Sequence, residues 1–297
     1  MKIIIDTDIG DDIDDAFAIR LALNTPELEI LGITTVFRNA VKRAKIVKAL
    51  LDKSRRDLPV YAGEDRPLSQ EINKLVYETT LSFDADGTVT VPHYSEAFTG
   101  YEVQTGAVDF LLSQAERYPG EITLVCIGPL TNVAKAYLKD GERFRKFKDI
   151  LMMGGQAKGD YAEWNFRCDP EAAQIVFDSG VPIKMVGINV TKFCSLSEEE
   201  IEWATHESSP AGTLTGRMLE KWLQDNNYQK TPVMHDGLAI SELTESFCKY
   251  ETRCVGVATE GEKRAMLCEG KNPVEIAVAV DSRKFIGYMF NRLRRNV

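Results

Sequence analysis

No apolar run in this chain approaches the length needed to cross a bilayer, which excludes a membrane-spanning helix and membrane partners. Met1-Lys2 leads straight into a strand pattern without the apolar core of a secretion signal, so a cytoplasmic location is expected. C-x-x-C pairs are missing as well. The six cysteines (Cys126, Cys168, Cys194, Cys248, Cys254, Cys268) stand apart and several lie in apolar runs, which favours reduced, mostly buried thiols over a disulfide frame or a zinc site. Positive charge is also in short supply. With 45 acidic against 36 basic residues and a formal net charge of -9, the chain has no global field to draw in nucleic acid. The run Arg292-Leu293-Arg294-Arg295 is short and reads as a solvated helix end. The chain has no internal repeat, no low-complexity linker and no evident boundary, so residues 1–297 are expected to form a single domain.

What is abundant is aspartate at the start. Asp6, Asp8, Asp11, Asp12, Asp14 and Asp15 follow the apolar run Ile3-Ile4-Ile5 and precede the helix-like Ala16-Phe17-Ala18-Ile19. A buried strand that spills carboxylates at its carboxyl end, where a helix begins, stands where open α/β sheets hold their ligands. Asp14 and Asp15 could merely cap that helix, since anionic side chains offset its dipole. Capping accounts for one or two of the six, and so many carboxylates repel one another unless a cation holds them. Oxygen donors select a hard ion such as Ca²⁺ or Mg²⁺.

Apolar strand runs alternate with helical periodicity along most of the chain, which predicts an α/β fold with an open, mainly parallel, Rossmann-like sheet flanked by helices. Strands are expected at Lys2–Ile5, Ile30–Val36, Ile122–Cys126, Ile150–Met153 and Ile183–Val186, with later ones at Arg253–Thr259 and Glu275–Val280. Helices are expected at Asp14–Leu23, Val41–Leu51, Gly106–Tyr118, Asn132–Leu138, Pro170–Asp178 and Ser282–Leu293. The stretch Ser197–Leu223 reads as all-helical, opening with the capping box Ser197-x-x-Glu200, and could form a flap. Right-handed crossovers would bring the strand carboxyl ends to one edge, making that edge the expected active site.

The residues just after each strand are therefore the informative ones. They are the aspartates, Arg38-Asn39, Ile127-Gly128-Pro129-Leu130-Thr131-Asn132, Gly154-Gly155 with Glu163-Trp164-Asn165, and His235-Asp236 at a helix start. Taken singly, each has an ordinary structural explanation. A glycine pair usually marks a tight turn, an asparagine at a strand end caps, a histidine is satisfied in the core, and a tryptophan packs. Together and in order they describe a polar pocket around a cation.

In this order the motifs resemble those of the calcium-dependent nucleoside hydrolase family. Asp6-Thr7-Asp8-Ile9-Gly10 with Asp14-Asp15-Ala16, Gly128 to Asn132, Met153 to Gly155, Glu163-Trp164-Asn165 with Asp169-Pro170-Glu171-Ala172-Ala173, and His235-Asp236 carry the likeness, framed by Pro59-Val60-Tyr61-Ala62-Gly63. The resemblance implies hydrolysis of the N-glycosidic bond of ribonucleosides, with Ca²⁺ as cofactor and a homodimer or homotetramer as the assembly. It implies that Asp8 is both a Ca²⁺ ligand and the proton acceptor for water, and that Asp15, Asp236 and the carbonyl of Ile127 are the other protein ligands. Asp14, Asn39, Glu163 and Asn165 match ribose-binding residues, Met153 and Trp164 line the pocket, and His235 matches a residue that protonates a leaving purine.

Four departures stand out. Two extra residues separate Asp8 from Asp14-Asp15, so Asp12 or Asp14 takes the ribose role. The segment after Met153 is short, leaving Asp160 as the nearest candidate for a missing asparagine. Arg38 replaces the usual glycine, and residues 83–87 hold no histidine. These changes bear on base specificity, since the metal positions remain. Asp6-x-Asp8 behind a strand would also suit a haloacid-dehalogenase-like phosphohydrolase, and a non-catalytic nucleoside-binding protein would keep the same pocket.

Overall fold

The structure is a computed structural model and describes residues 1–69, 82–85 and 87–295. Residue 86, within the stretch noted above for its lack of histidine, and residues 296–297 of the expected domain lie outside the described residues.

The first strand, β1 (Lys2–Thr7), carries Ile3, Ile4 and Ile5 at zero exposure because it has a parallel neighbour on each side and is covered on both faces. Its neighbours are β2 (Glu29–Thr35) and β5 (Ile122–Cys126). Outward from β2 lie two short strands without a periodic signal, β3 (Val60–Ala62) and β4 (Gln104–Thr105). Outward from β5 come β6 (Asp149–Met153), β7 (Ile183–Val186), β9 (Leu267–Val280) and β8 (Cys248–Val257). Among the described residues the nine-stranded order is β4-β3-β2-β1-β5-β6-β7-β9-β8, and the β8–β9 hairpin supplies the antiparallel pair of that sheet. The expected α/β class with a mainly parallel sheet is thus what the chain adopts.

The helices are α1 (Asp14–Leu23), α2 (Ala40–Lys53), α3 (Ala107–Arg117), α4 (Thr131–Lys139), α5 (Gly141–Phe144), α6 (Trp164–Cys168) and α7 (Pro170–Phe177). They continue with α8 (Ile188–Thr191), α9 (Glu198–His206), α10 (Pro210–Asp225), α11 (His235–Ser241) and α12 (Ser282–Leu293). The expected continuous flap divides into α9 and α10. Ser197 and Glu200 close the capping box on α9, while Ser209 caps α10 and Pro210 fills its first turn, where a missing N–H costs nothing. Arg20 of α1 latches this pair to the body: it donates to both oxygens of Glu207 at 2.8 and 2.9 Å and to Thr215 at 2.7 Å. Because β1, β2, β5, β6 and β7 run parallel, Asp8, Phe37, Ile127, Gly154 and Gly187 all emerge on one edge. That edge is the polar one.

Candidate active site

A cavity of about 700 Å³ opens on this edge, walled by Asp8, Asp12, Asp14, Asp15, Asp236 and Glu163 among others. Two helix starts bring its carboxylates together. Asp14 and Asp15 form the first turn of α1, where negative charge offsets the dipole, and Asp236 lies in the first turn of α11, which packs on α1. The Asp236 amide donates to Asp14 Oδ2 at 3.1 Å, and the Thr7 hydroxyl donates to Asp15 Oδ1. Oxygens of Asp14, Asp15 and Asp236 lie within 4.8 Å of one another, all three residues being buried. No nitrogen or sulfur donor enters that group, and converging buried carboxylates fit a hard cation. Sequence reasoning expected Asp8, Asp15, Ile127 and Asp236 as the ion's protein ligands. All four stand on the cavity wall, and Asp14 joins Asp15 and Asp236 in the tightest cluster. Asp8 is seated against Gly128, where an added Cβ would stand 2.8 Å from its Oδ1. The glycine is needed for the close approach.

Charge without a counter-ion is costly here. Burial pushes the Asp8 carboxyl up to about 8 although the Arg43 guanidinium opposes it, and Asp11 and Asp14 add repulsion. Burial likewise raises Asp14 to about 6, and it holds Asp15 and Asp236 well above the carboxylate range with help from neighbouring carboxylates. A bound cation would relieve both the burial and the repulsion.

A second part of the wall is built from Met153, Glu163, Trp164 and Asn165. Glu163 caps α6: its Oε1 accepts from the Asn165 amide at 2.8 Å, and its Oε2 accepts from Gly155 at 2.8 Å and Phe166 at 3.2 Å. Gly155 has φ +69, and a Cβ there would meet Phe166 at 2.7 Å, so this turn requires glycine. Asn165 Nδ2 donates to the carbonyls of Ile127 at 3.3 Å and Met153 at 3.1 Å, joining the two walls. His235 faces the cavity from α11, and its Nδ1 is 2.7 Å from the Thr191 hydroxyl. Asp12 also lines the cavity, at the exposed tip of the loop, and accepts from the Ile13 amide at 2.7 Å.

The chain matches the family described as inosine-uridine preferring nucleoside hydrolase over residues 3–287. It belongs to that family. Uridine nucleosidase 1 of Arabidopsis thaliana is 40% identical over 67% of this chain, and the chain spans 60% of that enzyme's length. The pyrimidine-specific ribonucleoside hydrolase of Salmonella gallinarum is 31% identical over 99% of this chain and 98% of its own. Among solved structures, a plant nucleoside hydrolase covers 99% of both chains at 27% identity and a TM-score of 0.79. The chain is accordingly a hydrolase of N-glycosidic bonds.

Two positions of this nucleoside hydrolase lie elsewhere than the resemblance implied. Asn39 is not on the cavity wall: in a left-handed conformation (φ 61) it caps α2, with Oδ1 accepting from the Lys42 amide at 3.2 Å and Nδ2 donating to the Val89 carbonyl at 3.0 Å. Arg38 occupies the wall instead, its guanidinium 5.8 Å from the centroid of the Trp164 ring. Asp160 is exposed and off the wall. Sequence reasoning also missed Trp222 of α10, which lines the cavity, and Arg43 behind the aspartate loop. Neither carries a local signal, since a tryptophan or an arginine in a helical pattern reads as packing or solvated charge. Among the described residues, no helix is long and apolar enough to cross a membrane.

Proposed function

We propose that this enzyme is a calcium-dependent ribonucleoside hydrolase that releases ribose and a free base. The observation that carries the reading is the convergence of the Asp14, Asp15 and Asp236 carboxylates on the wall of a cavity that Glu163 and Asn165 also line. Asp8, Asp15, Asp236 and the Ile127 carbonyl would hold the ion, with Asp14 shared between ion and ribose; Ca²⁺ suits such oxygen-only donors because it takes six to eight of them in flexible geometry. When bound, the ion supplies a fixed positive charge that lowers the pKa of water at the site.

The chain's own residues do the rest. Asp8 accepts the proton of the water that attacks the anomeric carbon. Cleavage puts oxocarbenium charge on the ribose, which the surrounding carboxylates stabilise. Asp14 and, through its Oδ1, Asn165 accept from ribose hydroxyls, Glu163 adds lone pairs left over from capping, and Met153 and Trp164 close the apolar side. His235 stands at the base end and protonates a departing purine. The base itself is an open choice among purines and pyrimidines, and Arg38, Trp222 and Asp12 are the wall residues positioned to make it.

The phosphohydrolase reading fails on family membership and on Asp6, its would-be nucleophile. Asp6 has zero exposure and accepts from Thr34 and from Asn132, the latter at 2.8 Å. Assay of a nucleoside panel for reducing-sugar release, with and without chelator, tests the proposal. Release dependent on Ca²⁺ is expected; binding of nucleosides without turnover would make the protein a binding module.

A further inference from the structure

Arg43, on α2, is one of the largest fully buried side chains in the protein, at zero exposure, although an arginine in a helical pattern is ordinarily solvated. Its guanidinium lies between two loops of the site edge. Nε donates to the carbonyls of Phe37 at 2.6 Å and Arg38 at 3.1 Å. Nη1 donates to the carbonyls of Asp8 and of Ile9, the latter at 3.0 Å, and Nη2 donates to Asp11 Oδ2 at 2.9 Å. One planar fork thus binds four backbone carbonyls and a carboxylate, a set that a lysine cannot match with its three rotatable donors.

Both loops need external support. Phe37, Arg38 and Asn39 are three consecutive non-glycine residues at positive φ (68, 41 and 61), a conformation that side chains with a Cβ rarely adopt. Gly10 on the facing loop has φ +120 and is wedged by Val91 and Ile46, where an added Cβ would come within 2.4 and 2.9 Å. The Asp11 that neutralises the fork belongs to the lengthened segment between Asp8 and Asp14. That segment, Arg38 and Arg43 therefore form one mutually dependent unit.

We propose that Arg43 is a positioning residue that sets where the Asp8 carboxylate stands, by clamping the Asp8–Ile9 backbone to the Phe37–Arg38 turn, and that Asp11 is its counter-ion. This rests on the reading of Asp8 as the proton acceptor. Arg43 reaches Arg38 only at its main-chain carbonyl, and its hydrogen bonds go to Phe37, Arg38, Asp8, Ile9 and Asp11 rather than to the ribose contacts Asp14 and Asn165, so ribose binding does not depend on it. Loosening it therefore slows the chemical step and leaves substrate binding nearly as it was.

The test is steady-state kinetics of Arg43→Lys with saturating Ca²⁺, on inosine and on a nitrophenyl riboside, beside circular dichroism of the fold. Displacing a reacting group by a fraction of an ångström costs between tenfold and a hundredfold, so kcat should fall by roughly that on both substrates while KM stays within about twofold. A kcat within twofold of the parent, or a raised KM with unchanged kcat, would overturn the proposal. If Arg43→Lys does not fold, Asp11→Asn decides. A kcat loss of threefold or more at unchanged KM supports the clamp, and a smaller loss overturns it. Asp8→Asn is run in parallel: an active Asp8→Asn enzyme would sink the underlying reading, whereas an inactive one beside a normal Arg43→Lys enzyme would sink the clamp alone.

Discussion

The two walls of the cavity reach their geometry by different means. On the Glu163 side the carboxylate is spent on three backbone amides, and Asn165 is tied to two carbonyls, so the wall is complete without any ligand. On the aspartate side, Asp8, Asp14, Asp15 and Asp236 are buried together, and each is held above its ordinary titration range by burial and, in most cases, by its neighbours. One wall is preorganised by hydrogen bonds, while the other is a carboxylate cluster whose charge a cation would offset. Burial raises the Glu163 carboxyl as well, but its amide donors oppose that shift, whereas the crowded aspartates add repulsion to burial.

The sharpest way to break this contrast is at Asp8. Asp8→Asn should keep the fold and lose hydrolysis by roughly a thousandfold or more, since the variant lacks the general base. Near-normal turnover would shift that role to Asp12. Removing the cation comes next. Chelation should abolish activity and lower Tm, and metal analysis of active protein should find about one Ca²⁺ per chain. In the chelated protein, the folded aspartates retain protons that the unfolded chain has already released. Stability should therefore fall as pH rises from the ordinary aspartate value of 3.8 through about 8, where Asp8 titrates, and added Ca²⁺ should flatten that slope. Stability that is independent of pH across this window in chelator would mean the carboxylates have another partner.

A third pair of variants separates the base end from the ribose. His235→Ala should depress inosine hydrolysis by about a hundredfold and leave a nitrophenyl riboside, whose base departs unaided, within about threefold. Asn165→Ala should slow both alike, because its contacts serve every substrate. Equal losses for His235→Ala would make it a structural partner of Thr191. The smallest effect is expected at Asn39, whose side chain is committed to capping: Asn39→Ala should cost about 1 kcal/mol of stability in denaturant titration. A tenfold rise in KM with stability unchanged would instead restore Asn39 to the ribose.

The strand ends were legible because each is a local pattern. Ile3-Ile4-Ile5, short and β-branched, reads as a strand buried on both faces, and the structure bears this out, with Asp8 emerging beside the residues that follow its parallel neighbours. Glu163 and Asn165 belong to one short segment, so their shared wall could be anticipated from spacing. Asn39 illustrates the opposite case, because the same residue type serves as cap or ligand, and Val89 and Lys42 decide between the two. The chain's pattern by itself determined the α/β class and the polar edge, since side-chain periodicity and strand-end position follow from backbone geometry within a few residues, while the roles of single carboxylates were implied by the family resemblance. Only the tertiary structure decided that Asp236 meets Asp14 across 222 positions of sequence, that α9 and α10 are latched through Arg20, and that Arg43 is buried beneath Asp8. Such contacts depend on how distant helices pack, and burial in that packing gives a charge its counter-ion and a carboxylate its affinity for protons or metal.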